Sequence, residues 1–375
     1  MAKQNNIINI LSFMKYYFIF AKIFLMKRIF SISILLLTII SLSAQTGGDN
    51  TYEFLTLPNS SRVAALGGYN VSHYDNDVNF VLSNPGLLRN EMHNRMSINY
   101  INYLSDINFG YVSYAYDLEN IGTFAAGMQY INYGNFLHAD ETGEILGNFV
   151  PSEYSFNIAY ANNITPKIHY GVNLKTIYSS FFTYFSTGLA LDAGLAYVDT
   201  AKLFSAGLVV KNLGIQLKPY TPNNREPLPL DVQIGVTKKL RHAPFRFSLT
   251  AIDLLNWNLK YTSVFENTYQ LDENTEENFF NKMGNIGDEF IRHFVVGVEI
   301  VPHPNFYIAL GYNYRRRAEL AMYTMPKLVG MSMGFGLHLS KFNISYGIAS
   351  YHLAGSSNHF TLGINLDAFY KNTKI

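Results

Sequence analysis

The feature that most constrains this chain is a two-residue hydrophobic period that recurs from Arg95 towards the C-terminus. In one such run, Tyr154, Phe156, Ile158 and Tyr160 alternate with small or polar residues. This alternation places large apolar side chains on one face of a β-strand and small or polar ones on the other. Because the pattern recurs in runs of about 10 residues, the sequence predicts an all-β protein, a transmembrane antiparallel β-barrel of about 14 strands.

The composition is typical of a barrel wall that faces lipid on the outside and a lumen on the inside. Charged residues make up 15% of the chain, against roughly 25% in soluble domains, whereas aromatic residues also reach 15%. A soluble β-sandwich or solenoid would bury its apolar face and carry charges on the other, but here the second face is mostly Gly, Ser, Ala and Asn. A net charge of +1 gives no indication of nucleic-acid binding, and the lack of cysteine excludes disulfides and cysteine nucleophiles.

The lengths of the connections between predicted strands alternate. Short connections, such as Leu118–Ile121 and Asp199–Leu203, fall at every second junction. Outer-membrane barrels join their strands by short periplasmic turns and longer outer loops. We therefore expect the outer membrane of a Gram-negative bacterium as the location. The predicted longer outer segments are Gly134–Ser152, Ser180–Thr187, Gly214–Leu230, Leu254–Arg292, Arg315–Leu328 and His352–Ser357.

Residues 26–44 have the three parts of a secretion signal. Met26-Lys27-Arg28 is a basic start, an apolar run extends to Ile40, and small residues lead to Ala44. We predict cleavage after Ala44 and interpret residues 1–25 as an over-extended start. The competing interpretation, one membrane anchor over residues 7–42, is interrupted by lysines too often for a span of about 20 apolar residues.

Residues 45–94, the N-terminal segment, mix Gly, Pro and polar residues. They show neither the two-residue period of a strand nor the 3.6-residue period of a helix. A barrel of about 14 strands is too wide for its own side chains to fill, so we expect this segment to act as a hatch inside a barrel formed by residues 95–375. A short helix is predicted from Ser61 to Leu66. Its expected cap is Ser60 or Ser61, and Gly67 ends it.

Arg62 is the charged residue of interest in this segment, because a buried cation is costly unless it is paired. Glu299 and Asp192 on the predicted wall are candidate partners, as are Asp75 and Asp77 within the segment. The alternative is that Arg62 points into a watery vestibule. Lumen-facing Lys175, Lys211 and Arg246 suggest a wider network of mixed sign.

The catalytic and metal-binding patterns that the sequence suggests lack the structural context or the spacing that they require. We therefore predict neither enzyme activity nor a cofactor or metal. Gly330–Gly334 matches the nucleophile-elbow pattern, but it lies inside a strand, where Ser332 is expected to be a small lumen-facing residue. The acidic residues of the longest outer loop have no EF-hand spacing, so a solvated loop is favoured over calcium binding. Those residues are Asp272, Glu273, Glu276, Glu277, Asp288 and Glu289.

The N-terminal segment contains Phe54-Leu55, then Ala65-Leu66-Gly67-Gly68, then Asn84-Pro85. With these residues it resembles the hatch of the PorQ family, outer-membrane components of the type IX secretion system. These barrels are related to PorV and, more distantly, to long-chain fatty-acid transporters. The loop residues Tyr133–Phe136, Asp140-Glu141 and Gly147–Phe149 are similar to a second region of the family, whereas Gly86 departs from its usual alanine. The hatch motif comprises Phe54, Leu55, Pro58, Arg62, Gly67, Gly68, Asp77, Asn84 and Pro85.

The resemblance implies a non-enzymatic anchor in a cell-surface attachment complex. Its partners would be a PorZ-like surface protein, a PorU-like sortase and a PorV-like barrel, which together process secreted cargo and link it to anionic lipopolysaccharide. The alternative is an outer-membrane transporter of long-chain fatty acids or other hydrophobic small molecules. The predicted lumen faces are mainly Gly, Ser and Asn, which favours the anchor.

Two groups in the outer loops are candidate docking residues. The aromatics Phe181, Phe182, Tyr184 and Phe185 form either a protein-docking surface or part of the aromatic girdle at the membrane interface. The run Arg315-Arg316-Arg317 is a candidate contact for a partner or for acidic lipid groups, with a rim charge cluster as the alternative.

Overall fold

The computed structural model describes residues 50–257, 259, 287–320, 329–352 and 355–370. The predicted signal peptide and the residues before it lie outside these ranges, as do Asp272, Glu273, Glu276 and Glu277. Within the described ranges, no helix is both long and apolar enough to cross a bilayer.

Fourteen strands within the described residues form a closed barrel in which all neighbours are antiparallel, so the predicted fold class is confirmed. β1 pairs with β16 to close it, and β4 and β5 form a separate two-stranded hairpin between β3 and β6. The strands are β1 Arg95–Asn102, β2 Asn108–Leu118, β3 Gly122–Asn132, β4 Phe136–Ala139, β5 Ile145–Phe149, β6 Ser152–Thr165, β7 Ile168–Phe181, β8 Tyr184–Asp199, β9 Phe204–Lys218, β10 Asp231–Lys239, β11 Phe245–Ala251, β12 Phe294–His303, β13 Phe306–Asn313, β14 Met331–His338, β15 Phe342–His352 and β16 Gly355–Asn365.

The two faces of the wall differ as the alternation predicts. Along β8, Leu189, Leu191 and Leu195 point outward and are exposed, whereas Ala190 and Asp192 between them are buried. The same pattern of exposed Leu, Ile, Val, Phe and Tyr continues around the barrel. An apolar belt on the outside of a closed barrel is suited to lipid.

Strands β6 to β9 form the tall side of the barrel. They contain 14, 14, 16 and 15 residues, whereas β10 and β11 contain 9 and 7. The ladder between β9 and β10 ends where Lys211 pairs with Asp231, so Asn212–Lys218 extends beyond β10 at the outer end. The barrel therefore has a tall and a low side.

Three outer connections are shorter than the sequence predicts, and in one of them Gly214–Lys218 of the predicted loop Gly214–Leu230 belongs to β9. Instead of a loop over residues 180–187, β7 and β8 are joined by Phe182-Thr183, and Phe182 has a φ of 55°. Strands β15 and β16 likewise pair up to His352 and Gly355. Aromatic and β-branched residues favour strands, so in β7 and β8 they extend the pairing to the tip, and a two-residue turn with positive φ closes the hairpin.

The helical elements are short. Residues 287–292 are helical before β12. The others are the 3₁₀ turns Glu53–Thr56, Pro85–Leu87 and Asn90–Met92, and the α-helices Ser61–Ala65, Phe80–Ser83, Tyr314–Leu320 and Asp367–Tyr370.

Candidate functional site

The N-terminal segment contacts inward-facing side chains on several sides of the barrel. The Ser61 N–H donates to Thr361 Oγ1 of β16 at 3.0 Å, and Ser72 Oγ pairs with Thr237 Oγ1 of β10 at 2.8 Å. Tyr52 bonds the hydroxyl of Ser186 on β8. All these wall residues lie on the face opposite to the apolar belt. The segment therefore lies on the lumen side of the wall.

The short predicted helix is present from Ser61 to Ala65 and is held at both ends. Ser60 Oγ accepts the Val63 N–H at 3.3 Å, which settles the cap between the two serines. Gly67 and Gly68 follow with φ values of 93° and 91°, the left-handed region that favours glycine. Ser332 Oγ accepts the Gly67 N–H at 3.0 Å and donates to the Ala65 carbonyl at 2.9 Å. As predicted, Ser332 is a lumen-facing residue, and it serves to fix the end of the helix.

Arg62 lies at the centre of a buried charge cluster. Its side chain is 3% exposed, Nε donates to Glu299 Oε1 at 2.8 Å, and Nη1 lies 2.9 Å from Asp75 Oδ2. The guanidinium also stacks over the Tyr307 ring at 4.2 Å. Pairing, rather than a vestibule, is therefore what the structure shows for Arg62.

The other two candidate partners of Arg62 bind elsewhere. Asp192 pairs with Lys175 at 2.8 Å, and both side chains are fully buried. Asp77 accepts from the backbone and side chain of Asn79 at 3.0 and 2.8 Å. The predicted network of mixed sign thus consists of at least two buried groups, one at Arg62 and one at Lys175.

A second cation, Arg246 of β11, completes the cluster. Its Nη1 donates to Glu299 Oε2 at 3.0 Å and lies 2.6 Å from His73 Nε2. Burial lowers the pKa of His73 to about 4, so at neutral pH the ring is uncharged and accepts this hydrogen bond. His73 also stacks on Phe80 at 4.6 Å. Sequence reasoning missed His73, because an isolated histidine in an irregular segment has no periodic signal.

The Asn84-Pro85-Gly86 turn rests directly on a glycine surface of the wall. A Cβ at Gly171 would lie 2.3 Å from the Pro85 carbonyl oxygen, and one at Gly194 would lie 2.0 Å from Asn84 Oδ1. The turn thus approaches the wall, through the Pro85 backbone and the Asn84 side chain, too closely for a Cβ at these positions unless the turn shifts. Gly86 is itself part of this contact, since its Cβ would lie 2.9 Å from the Gly194 carbonyl oxygen.

Asn84 links this turn to the rest of the molecule. Its Nδ2 donates to the carbonyls of Val71 at 2.8 Å and Leu195 at 3.1 Å, while Oδ1 accepts the Gly86 N–H at 2.9 Å. One side chain thereby joins two parts of the segment to β8. The apolar residues of the hatch motif are buried as well: Phe54 and Leu55 are each 2% exposed and pack against wall residues such as Ile101.

The predicted docking aromatics occupy different environments. Phe181 packs between Tyr133 and Tyr220, with ring centroids 5.6 and 5.7 Å away. Phe182 contacts the β4–β5 hairpin, whereas Tyr184 and Phe185 are exposed on β8. The four residues are therefore not one loop, and only part of the set is available to a partner.

The three arginines follow shortly after β13. They lie in the helix Tyr314–Leu320 and are half-buried. Arg315 pairs with Asp253 and, at 2.7 Å, with Glu319. Arg316 Nη1 lies 3.4 Å from the Gly67 carbonyl oxygen, close to the helix end that Ser332 fixes. The sequence run gave no sign of the contacts with Asp253 and Gly67, because both residues are distant in the chain.

A closed barrel with an outward apolar belt, short turns at one end and a segment on its lumen side has the architecture of an outer-membrane β-barrel. No family model matches the sequence, and no curated protein matches it.

Solved structures of barrels are similar at low identity. The Pseudomonas putida toluene transporter TodX aligns with a TM-score of 0.48 and 10% identity over 82% of this chain and 96% of that one. The Ralstonia pickettii toluene transporter TbuX gives 0.44 and 10% over 83% and 98%, and a Pseudomonas aeruginosa FadL homologue gives 0.41 and 9% over 82% and 98%. With TM-scores below 0.5, these similarities support no conclusion about function, and the class rests on the strand pairing and faces described above.

Proposed function

We propose that this protein is a non-enzymatic anchor in the outer membrane of a Gram-negative bacterium, and that it holds a cell-surface complex of the type IX secretion system. The observation that supports this most directly is the way the N-terminal segment is bound to the wall. Arg62 joins the segment to β12 through Glu299, and Arg246 joins β11 to the same carboxylate. A segment tied by a buried charge cluster is suited to closing a barrel permanently.

Transport of hydrophobic molecules would require this segment to move. Breaking a buried pair by taking away one partner costs about 3–5 kcal/mol, because a charge is left uncompensated. A cavity of about 230 Å³ beside the segment has a mixed lining, in which Val198, Leu203 and Phe204 lie beside Ser205, Lys239 and Arg246. This lining does not decide between the two functions, whereas the buried charge cluster favours a segment that stays in place. The anchor is therefore the better-supported function.

The proposed complex follows from the resemblance of the hatch motif to the PorQ family. The partners would be a PorZ-like surface protein, a PorU-like sortase and a PorV-like barrel, with outer-membrane lipid around the belt. In this arrangement the barrel contributes position and outer surface, and the chemistry of cargo processing belongs to the sortase.

The test is purification of the tagged, full-length protein from its native outer membrane in a mild detergent. We expect a surface β-rich protein and a sortase-like protease to copurify in stoichiometric amounts. Mass spectrometry of the proteins and of extracted lipids is run on the same sample. A barrel recovered without protein partners, but with a stoichiometric fatty acid or other hydrophobic molecule, would overturn the anchor and favour the transporter.

A further inference from the structure

The β4–β5 hairpin is an insertion outside the barrel sheet. It connects β3 to β6 at the end opposite the short turns, which is the outer end. Leu137 is 66% exposed, and Ile145 and Leu146 are 61% and 58% exposed. Large apolar side chains this exposed, grouped on one small hairpin, are typical of an interaction site.

The base of the hairpin is fixed to the barrel by rings. Phe182, at the tip of the β7–β8 turn, lies 5.0 Å from Phe149 and 4.5 Å from His138, measured between centroids. Phe136 stacks on Phe149 at 5.7 Å. Because one set of side chains is used for this attachment, Leu137 on the alternate face is left to solvent. The hairpin is thus presented in a defined position.

The tip of the hairpin is acidic. Asp140, Glu141 and Glu144 lie in the turn, and residues 134–151 contain no lysine or arginine. Asp140 Oδ1 accepts from the N–H groups of Thr142 and Glu144, at 2.9 Å each, which holds the turn closed. The hairpin therefore combines an apolar body with a negative tip.

We propose that this hairpin inserts into a partner protein whose surface has an apolar cleft rimmed by lysine or arginine residues. The charge selects this occupant. A second copy would bring two acidic tips together, and an anionic lipid surface would repel the tip, since like charges across an interface are unfavourable. The inference rests on the proposed function, because it names the part of the anchor that holds the surface partner.

The experiment compares the full-length wild type with two hairpin variants and two control variants, all purified from native outer membranes. The first variant, Leu137→Ser with Leu146→Ser, removes apolar contact. The second, Glu141→Lys with Glu144→Lys, reverses the tip charge and leaves Asp140 in place. Their matched controls at the periplasmic end are Ile164→Ser, at a side chain 61% exposed, and Glu119→Lys, at an exposed turn residue. Far-ultraviolet circular dichroism checks that each barrel is folded.

We expect the first variant to lower recovery of the surface partner about tenfold, as for loss of a central apolar contact. The charge reversal should lower it several-fold and weaken its dependence on salt. Both controls should match the wild type. In parallel, a photo-crosslinking amino acid at position 137 should label that same partner at an apolar cleft flanked by lysine or arginine.

The outcomes separate the inference from the proposed function. If the wild type holds its partner and both hairpin variants hold it equally well, the hairpin is not the docking surface, although the anchor stands. If crosslinks from position 137 reach lipid or a second copy of the chain, the inference is likewise wrong. If the wild type recovers no surface protein at all, the proposed function fails and the inference with it.

Discussion

The N-terminal segment and the β4–β5 hairpin both lie outside the barrel sheet, but their apolar and charged side chains are in opposite environments. Phe54 in the segment is 2% exposed, whereas Leu137 in the hairpin is 66% exposed. Arg62 in the segment contacts two carboxylates, whereas the acidic turn of the hairpin has no cation within residues 134–151. In the N-terminal segment the apolar side chains are buried and Arg62 is paired within the chain. In the hairpin the apolar side chains are exposed, as the proposed docking of a partner requires.

The largest expected effect lies in the buried charge cluster. Changing Arg62→Ala takes the nearest cation from Asp75 and leaves Glu299 with Arg246 alone, so the free energy of unfolding should fall by about 3 kcal/mol. Urea titration in lipid vesicles measures this. The quadruple variant Arg62→Met, Arg246→Met, Glu299→Gln, Asp75→Asn removes the charges together and should recover most of the loss. A single variant as stable as the wild type would show that the cluster does not hold the segment.

The second effect concerns the close approach of the segment to the wall. A Cβ at Gly207 would lie 1.9 Å from the Val71 carbonyl oxygen. Gly207→Ala should therefore cost about 1–3 kcal/mol through displacement of the segment. Ion conductance in planar bilayers should rise as the lumen opens. The matched control is Gly147→Ala in the hairpin, where a Cβ meets nothing within 4 Å.

A smaller loss is expected at Asn84. Asn84→Ala leaves two carbonyls and one N–H without this partner, and the cost should be about 1–2 kcal/mol. Limited proteolysis of residues 50–94 should become faster, since the turn is no longer joined to β8. Asn135→Ala, at an exposed residue beside the hairpin, serves as the comparison. Equal proteolysis rates in the two variants would contradict the role given to Asn84.

The smallest effect should be in the hairpin itself. Leu137→Ser with Leu146→Ser removes exposed side chains, so the free energy of unfolding should stay within about 0.5 kcal/mol of the wild type. Urea titration of the purified protein is the check. A large loss of stability would mean that the hairpin packs against the barrel, and the contrast between the two insertions would disappear.

The wall was predictable from the sequence because alternation reports which face of a strand meets lipid, and strand pairing follows from it. The partners of Arg62 were predictable only as a set of four candidates. Glu299 and Asp192 show the same local pattern, and only the stagger between strands decides that Glu299 meets Arg62 while Asp192 meets Lys175. The hairpin went unpredicted since its strands, of 4 and 5 residues, are too short for a periodic signal.

The contact between Ser61 and Thr361 joins residues 300 positions apart in the chain. Ser61 also forms a hydrogen bond with Ser345 of β15 at 2.7 Å. The helix Ser61–Ala65 is therefore bonded to both β15 and β16. A helix near the start of the described residues is thereby held by strands near their end, and contacts between distant residues form slowly. The position of the helix therefore depends on closure of the barrel, and a chain that stopped before β15 would lack both the strand that closes the barrel and these helix contacts.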